Sequence, residues 1–203
     1  MYAVVEDNNI TQFINYPKSI VIGEVRYPSK IFTMWSQSEK EAIGIYEIVT
    51  DSTNYKDPAY YNNTNEQYTF ENNQVTKSWG TATPKRLNDE NAVDEDGNPV
   101  LQDGVQVINY GLKTEKKRIV KQQASGLLAP TDWYVVKSTE VADYDVPANV
   151  LSFRADVRTK SNEMETMIDN CTTVDELKAL YEYTEQEDGT FTRPLPEFPT
   201  LEN

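Results

Sequence analysis

The fold of the C-terminal half is decided by residues 146–168, which read VPANVLSFRADVRTKSNEMETMI in this 203-residue chain. Apolar side chains recur here in steps of mostly three and four, at Val146, Val150, Phe153, Val157, Met164 and Ile168. This spacing is typical of one face of an α-helix, and a proline in the first helical turn, here Pro147, costs no hydrogen bond. We interpret the stripe most simply as an intramolecular core, with a helix–helix interface between two chains as the alternative.

Further helices are predicted on both sides of this stretch. Before it, apolar residues again share one helical face, with lysines away from it: Leu112, Ile119, Val120, Ala124 and Leu127. Pro130 should end that helix. Thr131 and Asp132 can then cap a short helix through Glu140, although a strand over residues 134–136 is an alternative. After the stretch, Thr173 and Glu176 form a capping box that opens another helix.

The N-terminal half has the pattern of strands rather than of helices. Residues 2–5 and 45–49 are predicted strands, and short apolar runs on both sides of Gly23 predict a hairpin. A capping box at Ser36 and Glu39 predicts one short helix. We therefore predict an α+β protein: a β-rich module of hairpins and a short helix (residues 1–87), an acidic connection (88–110), a helical hairpin or bundle (111–183) and an extended Pro-rich tail (184–203).

Composition excludes several classes of function. The 33 acidic residues against 19 basic ones give a net charge of −14, so we expect binding to neither nucleic acid nor anionic membranes. There is no histidine, which removes the commonest general base and metal ligand, and Cys171 is the only cysteine. No apolar run is long enough to span a membrane. We expect a protein without enzymatic activity, metal or cofactor.

Three groups of residues allow a binding function besides a structural one. Residues 94–98 faintly resemble a calcium loop but lack its ligand spacing, so a plain turn is the better interpretation. The basic run from Lys113 to Lys121 is best explained as a solvated helix face or as a complement to acidic surface elsewhere, with a nucleic-acid patch as the alternative. An aromatic group among asparagines would mainly fill a thin β layer, with host-glycan binding as the alternative at Tyr60, Tyr61, Tyr68 and Trp79.

One arrangement of motifs resembles a known family. A lysine-rich helix closes on LLAPTDW (residues 127–133), and after a spacer comes VPANVLSFRADVR (residues 146–158). This resembles the C-terminal part of bacteriophage tail fibre assembly proteins, also called tail assembly chaperones. The likeness covers roughly residues 112–181, and the segment 172–181 is similar to the helix that follows in marine-phage relatives. A phenylalanine, Phe153, stands where the family has a tyrosine before the first arginine.

The resemblance implies a non-catalytic tail protein that binds tail fibres and assists or completes their assembly. Its partner would be a tail fibre or another tail protein, with self-association as a further option, in the host cytoplasm during assembly or in the virion tail. A permanent structural subunit of the virion tail is the alternative. The candidate residues for a partner interface or for the scaffold are Leu127, Leu128, Thr131, Asp132, Trp133, Phe153, Arg154 and Arg158.

The same residues have structural roles that need no catalysis. We expect Trp133 to anchor the helical hairpin. Arg154 and Arg158 lie one helical turn apart, so both can pair with carboxylates such as those of Asp132 or Glu140.

Overall fold

A computed structural model describes residues 1–201 and confirms the mixed α+β class, with a β-sheet in the N-terminal half and helices in the C-terminal half. The chain divides into two compact units, residues 1–83 and residues 84 onward. Among the described residues, no helix has the length and apolar character needed to cross a membrane.

The first unit contains nine strands and two short helices. They are β1 (Tyr2–Glu6), β2 (Asn9–Ile14), β3 (Ile20–Ile22), β4 (Val25–Tyr27), α1 (Ile31–Met34), α2 (Gln37–Glu41), β5 (Ile45–Thr50), β6 (Tyr61–Asn62), β7 (Gln67–Glu71), β8 (Gln74–Ser78) and β9 (Thr83–Pro84), which ends at the boundary between the units. Five of the strands form one sheet in the order β2-β1-β5-β8-β7, in which only β5 and β8 pair in parallel.

The β1 strand is covered on both faces of the sheet. Ala3 and Val5 pack with Val75 on one face, whereas Val4 packs on the other among residues of β2, β5 and α1. A strand buried on both sides needs a continuous apolar run, which is what residues 3–5 supply. The outer strands also approach each other, because the rings of Phe13 and Tyr68 are 4.5 Å apart, so the sheet is strongly curved.

The described part of the second unit, residues 84–201, contains six short strands and four α-helices. They are β10 (Glu90–Asn91), β11 (Leu101–Gln102), β12 (Val105–Gln106), β13 (Ile108–Asn109), α3 (Leu112–Leu128), α4 (Asp132–Glu140), α5 (Ala148–Asn170), α6 (Val174–Ala179), β14 (Thr184–Glu185) and β15 (Phe191–Thr192). A 3₁₀ turn (Ala129–Thr131) joins α3 to α4. Residues 88–110 are organised as the antiparallel pairs β10–β13 and β11–β12.

Helices α3 and α5 pack antiparallel to each other. Lys117 near the start of α3 pairs with Asp169 at the end of α5 at 2.7 Å, and Lys121 pairs with Glu165 at 3.2 Å. Two lysines of the basic run are therefore paired with acidic groups of α5. For Lys117 and Lys121 the interpretation as a complement to acidic surface is confirmed, whereas Arg118 is a solvated residue that pairs within α3.

The buried face of α5 matches the predicted stripe in all but its first member. Val150, Phe153, Val157, Met164 and Ile168 are buried within the chain. Val146 is only half-buried and precedes the helix, because Pro147 occupies the N-cap position rather than the first turn.

On α3 the predicted apolar face is partly wrong. Val120 and Ala124 are buried, but Ile119 is 39% exposed. The apolar pattern alone does not distinguish which of two consecutive residues, Ile119 or Val120, faces the neighbouring helix.

The Pro-rich tail lies against the helices of the second unit. Leu195 is buried, and its amide donates a hydrogen bond to the carbonyl oxygen of Leu180 at 3.0 Å. Phe198 packs on the cluster formed by Ala124, Phe153 and Val157. These contacts bring the end of the described chain back onto α3 and α5.

The first prediction concerns Gly44, which has a φ of +80° and whose carbonyl accepts the Val5 amide at 2.8 Å. A Cβ here would lie 2.5 Å from the carbonyl oxygen of Val5. Gly44→Ala should therefore destabilise the protein by clearly more than the roughly 1 kcal/mol expected for left-handed strain alone. Gly23→Ala is the control, because Gly23 has a φ of +57° and nothing near its would-be Cβ. Equal losses in urea unfolding would contradict the assigned clash.

The second prediction concerns acid stability through the α6 cap. Hydrogen bonds from the Thr172 amide and hydroxyl lower the pKa of Glu176 below its ordinary value. A lowered folded-state pKa gives stability that is fully present above the unfolded-state pKa, about 4.3, and is lost as the pH falls through the lower folded-state value. The stability difference between wild type and Glu176→Gln should therefore shrink with acidification. A difference that does not change with pH in denaturant titrations would contradict this role.

Candidate functional site

The candidate site is built around the buried guanidinium of Arg154 on α5. Its Nη1 donates to the carbonyl oxygen of Leu128 at 3.0 Å and to the Thr131 hydroxyl at 2.6 Å, and its Nη2 donates to Asp132 Oδ1 at 2.8 Å. We call these four residues the Arg154 network. Because the three acceptors come from the end of α3, the 3₁₀ turn and the start of α4, one side chain holds this whole connection on α5.

The network corrects the predicted cap of α4. Thr131 stands at the N-cap position, but its hydroxyl accepts no hydrogen bond from a backbone amide of α4. The Thr131 hydroxyl instead donates to the Leu128 carbonyl at 2.8 Å and accepts from Arg154. The charged guanidinium is the stronger donor, so Thr131 serves the tertiary contact instead of the helix end.

The structure separates the eight candidate residues by depth. Thr131, Phe153 and Arg154 are buried, and Leu127 and Leu128 are half-buried against the Phe153 cluster, so these five belong to the scaffold. The remaining three are exposed: Trp133, Arg158 and Asp132, whose carboxylate pairs with Arg154.

The prediction that Trp133 anchors the helical hairpin is wrong. Residues 132–140 do form a helix rather than a strand, but α4 contains no buried residue. Trp133 is 51% exposed and Val136, one turn later on the same face, is 52% exposed. We call these two residues the Trp133 face. The indole ring contacts Tyr134 at a centroid distance of 3.8 Å and lies beneath the ammonium group of Lys137.

The four aromatic residues considered for glycan binding do not form one exposed surface. Tyr60 and Tyr61 are buried, and the ammonium group of Lys56 lies 4.3 Å from the ring centroid of Tyr61. Tyr68 is half-buried and donates its hydroxyl hydrogen to Glu66 at 2.8 Å. Trp79 is also half-buried, against the ring of Tyr55. The structural interpretation, in which some rings fill the β layer and the others lie at its edge, accounts for these contacts.

The loop that resembles a calcium site is a turn held by its own hydrogen bonds. Asp94 Oδ1 accepts from the amides of Asp96 and Asn98 at 3.0 and 2.8 Å, and these bonds lower the pKa of Asp94. Within residues 1–201 no group of three acidic, cysteine or histidine side chains is arranged to hold a metal ion.

Sequence reasoning missed the open cleft that adjoins the Arg154 network. This cleft between α3 and α5 has a volume of about 430 Å³ and is lined by both arginines of α5 together with Lys121, Ser125, Ser161 and Asn162. The serines and the asparagine belong to no motif, and only the helical spacing of Arg154 and Arg158 pointed to this region.

Comparisons of the chain with protein-family models, with curated proteins and with solved structures find no match.

The third prediction tests the Arg154 network. Arg154→Met keeps most of the side-chain volume but leaves the buried Thr131 hydroxyl and the Leu128 carbonyl without their charged donor. We expect a loss of about 2–4 kcal/mol in the free energy of unfolding, measured by urea titration. Arg118→Met removes an exposed pair with Glu115 on α3 and should cost less than about 1 kcal/mol. Equal effects of the two substitutions would contradict a structural role for Arg154.

Proposed function

We propose that the protein is a non-catalytic bacteriophage tail protein that binds tail fibres and assists or completes their assembly. The proposal takes the kind of partner from the resemblance of residues 112–181. The observation that carries it is the Trp133 face, because a helix with no buried residue presents a large aromatic ring to solvent.

The Trp133 face has the properties of a protein-binding surface. Exposed tryptophans at the centre of an apolar patch are frequent energetic anchors of interfaces. Val135 and Val141 are also exposed, at 39% and 47%, but they lie off the face that Trp133 shares with Val136. The Arg154 network fixes the start of α4, and a surface fixed in advance loses less conformational entropy on binding.

The exposed Trp133 face and the acidic charge of the chain suit a role in fibre assembly. A growing fibre exposes apolar surface until its chains have associated, and an apolar helix face can cover such surface reversibly. The acidic charge of the chain favours solubility of a complex with an incompletely assembled partner. A permanent tail subunit would use the same face, so the two roles differ in whether the protein remains in the particle.

The fourth prediction is that the Trp133 face is needed for fibre assembly. Co-expression with the tail fibre of the same phage should raise the yield of soluble trimeric fibre. The double variant Trp133→Ala, Val136→Ala should lose this effect, because truncating an interface anchor typically weakens binding about 30-fold or more. Fibre yield on a sizing column and the affinity of the isolated components are the measurements.

Leu151→Ala is the matched control for this experiment. Leu151 is 53% exposed on α5 and lies outside the Trp133 face, so its variant should support fibre assembly like the wild type. Fibre yield that is unaffected by the wild-type protein would contradict the proposed function. Full activity of the double variant would contradict the assigned surface.

Quantitative mass spectrometry of purified particles separates the two roles. Abundant protein in infected-cell lysate, with none in particles, supports assembly and release. Stoichiometric protein in particles supports the permanent tail subunit instead.

A further inference from the structure

Arg158 differs from every other arginine of the second unit. Arg86, Arg118, Arg154 and Arg193 each lie within 3 Å of a carboxylate oxygen, from Glu90, Glu115, Asp132 and Glu197 respectively. Arg158 has no carboxylate within 4 Å among residues 1–201, although the whole chain contains 33 acidic residues. An arginine left without such a partner in so acidic a chain has its guanidinium available for another oxyanion.

The guanidinium of Arg158 is nevertheless held in position. Its Nη1 donates to the backbone carbonyl oxygen of Arg154 at 3.1 Å, one turn earlier on α5. This bond directs the side chain back along the helix and leaves its remaining N–H donors without a carboxylate partner among the described residues, and Arg158 lines the cleft between α3 and α5. A planar donor group fixed in this way is suited to bidentate contact with a carboxylate or a phosphate.

The other polar groups of the cleft also favour an oxyanion. Ser125 contributes a hydroxyl and Asn162 an amide, and neither side chain is hydrogen-bonded within the described part of the chain. Lys121, on α3 like Ser125, keeps its side chain 66% exposed while pairing with Glu165. These donors line the same cleft as Arg158.

The charge of the cleft is locally positive although the chain is acidic. Three cations, on Lys121, Arg154 and Arg158, face two anions, on Asp132 and Glu165. Both anions are engaged in ion pairs, which leaves one positive charge to attract a ligand. The volume of about 430 Å³ suits a small group and is in the range of small-molecule sites.

We propose that this cleft is an oxyanion-binding site in which Arg158 makes the principal contact and Lys121, Ser125 and Asn162 add donors. The ligand is a carboxylate or a phosphate group. An aspartate or glutamate of the bound fibre is one source of the oxyanion, and that source rests on the proposed function. Free phosphate is the other source, and this source does not depend on the proposed function.

The experiment titrates the isolated full-length protein with inorganic phosphate and, separately, with N-acetylaspartate amide at constant ionic strength. The resonance of the Arg158 side-chain Nε–H group in NMR spectra reports binding at the cleft. We expect a saturable shift of this resonance with at least one probe, and the tighter probe identifies the source. Arg158→Gln should weaken binding by about tenfold or more, measured by calorimetry or by the shifts of Ser125 and Asn162.

Two further variants distinguish site geometry from overall charge. Arg118→Gln removes the same charge from α3 outside the cleft and should leave the affinity nearly unchanged. Arg158→Lys keeps the charge but loses the planar fork, so it should restore only part of the affinity lost in Arg158→Gln. Absence of a saturable shift with both probes overturns the proposal. Equal weakening by Arg118→Gln and Arg158→Gln overturns it as well.

The result is independent of the fibre experiments. Oxyanion binding by the isolated protein without any effect on fibre yield would retain the cleft and remove the proposed function. Normal fibre assembly without oxyanion binding would retain the proposed function and overturn the assignment of the cleft.

Discussion

The second unit depends on one buried cation. The guanidinium of Arg154 satisfies acceptors from Leu128, Thr131 and Asp132, which belong to three successive elements of the chain. Burying a charge is costly unless its hydrogen bonds are made, so the helix end, the turn and the start of α4 must all be in place together. This constraint explains how α4 keeps its position although none of its own side chains is buried.

Ion pairs within the chain also determine which charge its surface presents. Lys117 and Lys121 bind carboxylates of α5, and Lys77 binds Glu66 in the sheet unit, so much of the basic charge is used internally. The surplus of acid therefore dominates the surface. A basic run read in isolation would suggest a phosphate-backbone contact, but two of its lysines, Lys117 and Lys121, pair with acids across the α3–α5 interface.

Local chemistry was predictable from sequence, whereas tertiary exposure was not. The capping boxes at Ser36 and Thr173 are present because their hydrogen bonds join residues three apart. The helical period also identified the buried face of α5. The burial of Tyr60, Tyr61 and Leu195 depends on contacts between distant segments that show no periodic pattern. Trp133 is exposed because no other segment of the described chain covers its face of α4. Hydrophobicity alone therefore predicted a packed anchor at Trp133, whereas this residue is 51% exposed.

The two arginines of α5 show why a motif cannot divide scaffold from binding site. Arg154 and Arg158 are identical residues one turn apart, and sequence reasoning gave both the same carboxylate partners. Arg154 is buried and reaches the Leu128 carbonyl and Asp132 together, while Arg158 is exposed where it lines the cleft. The backbone carbonyl of Arg154 in turn orients Arg158. The scaffold and the candidate site are thus directly connected. Arg154 holds the connection between α3 and α4, and its carbonyl oxygen also orients Arg158, which we propose binds the ligand.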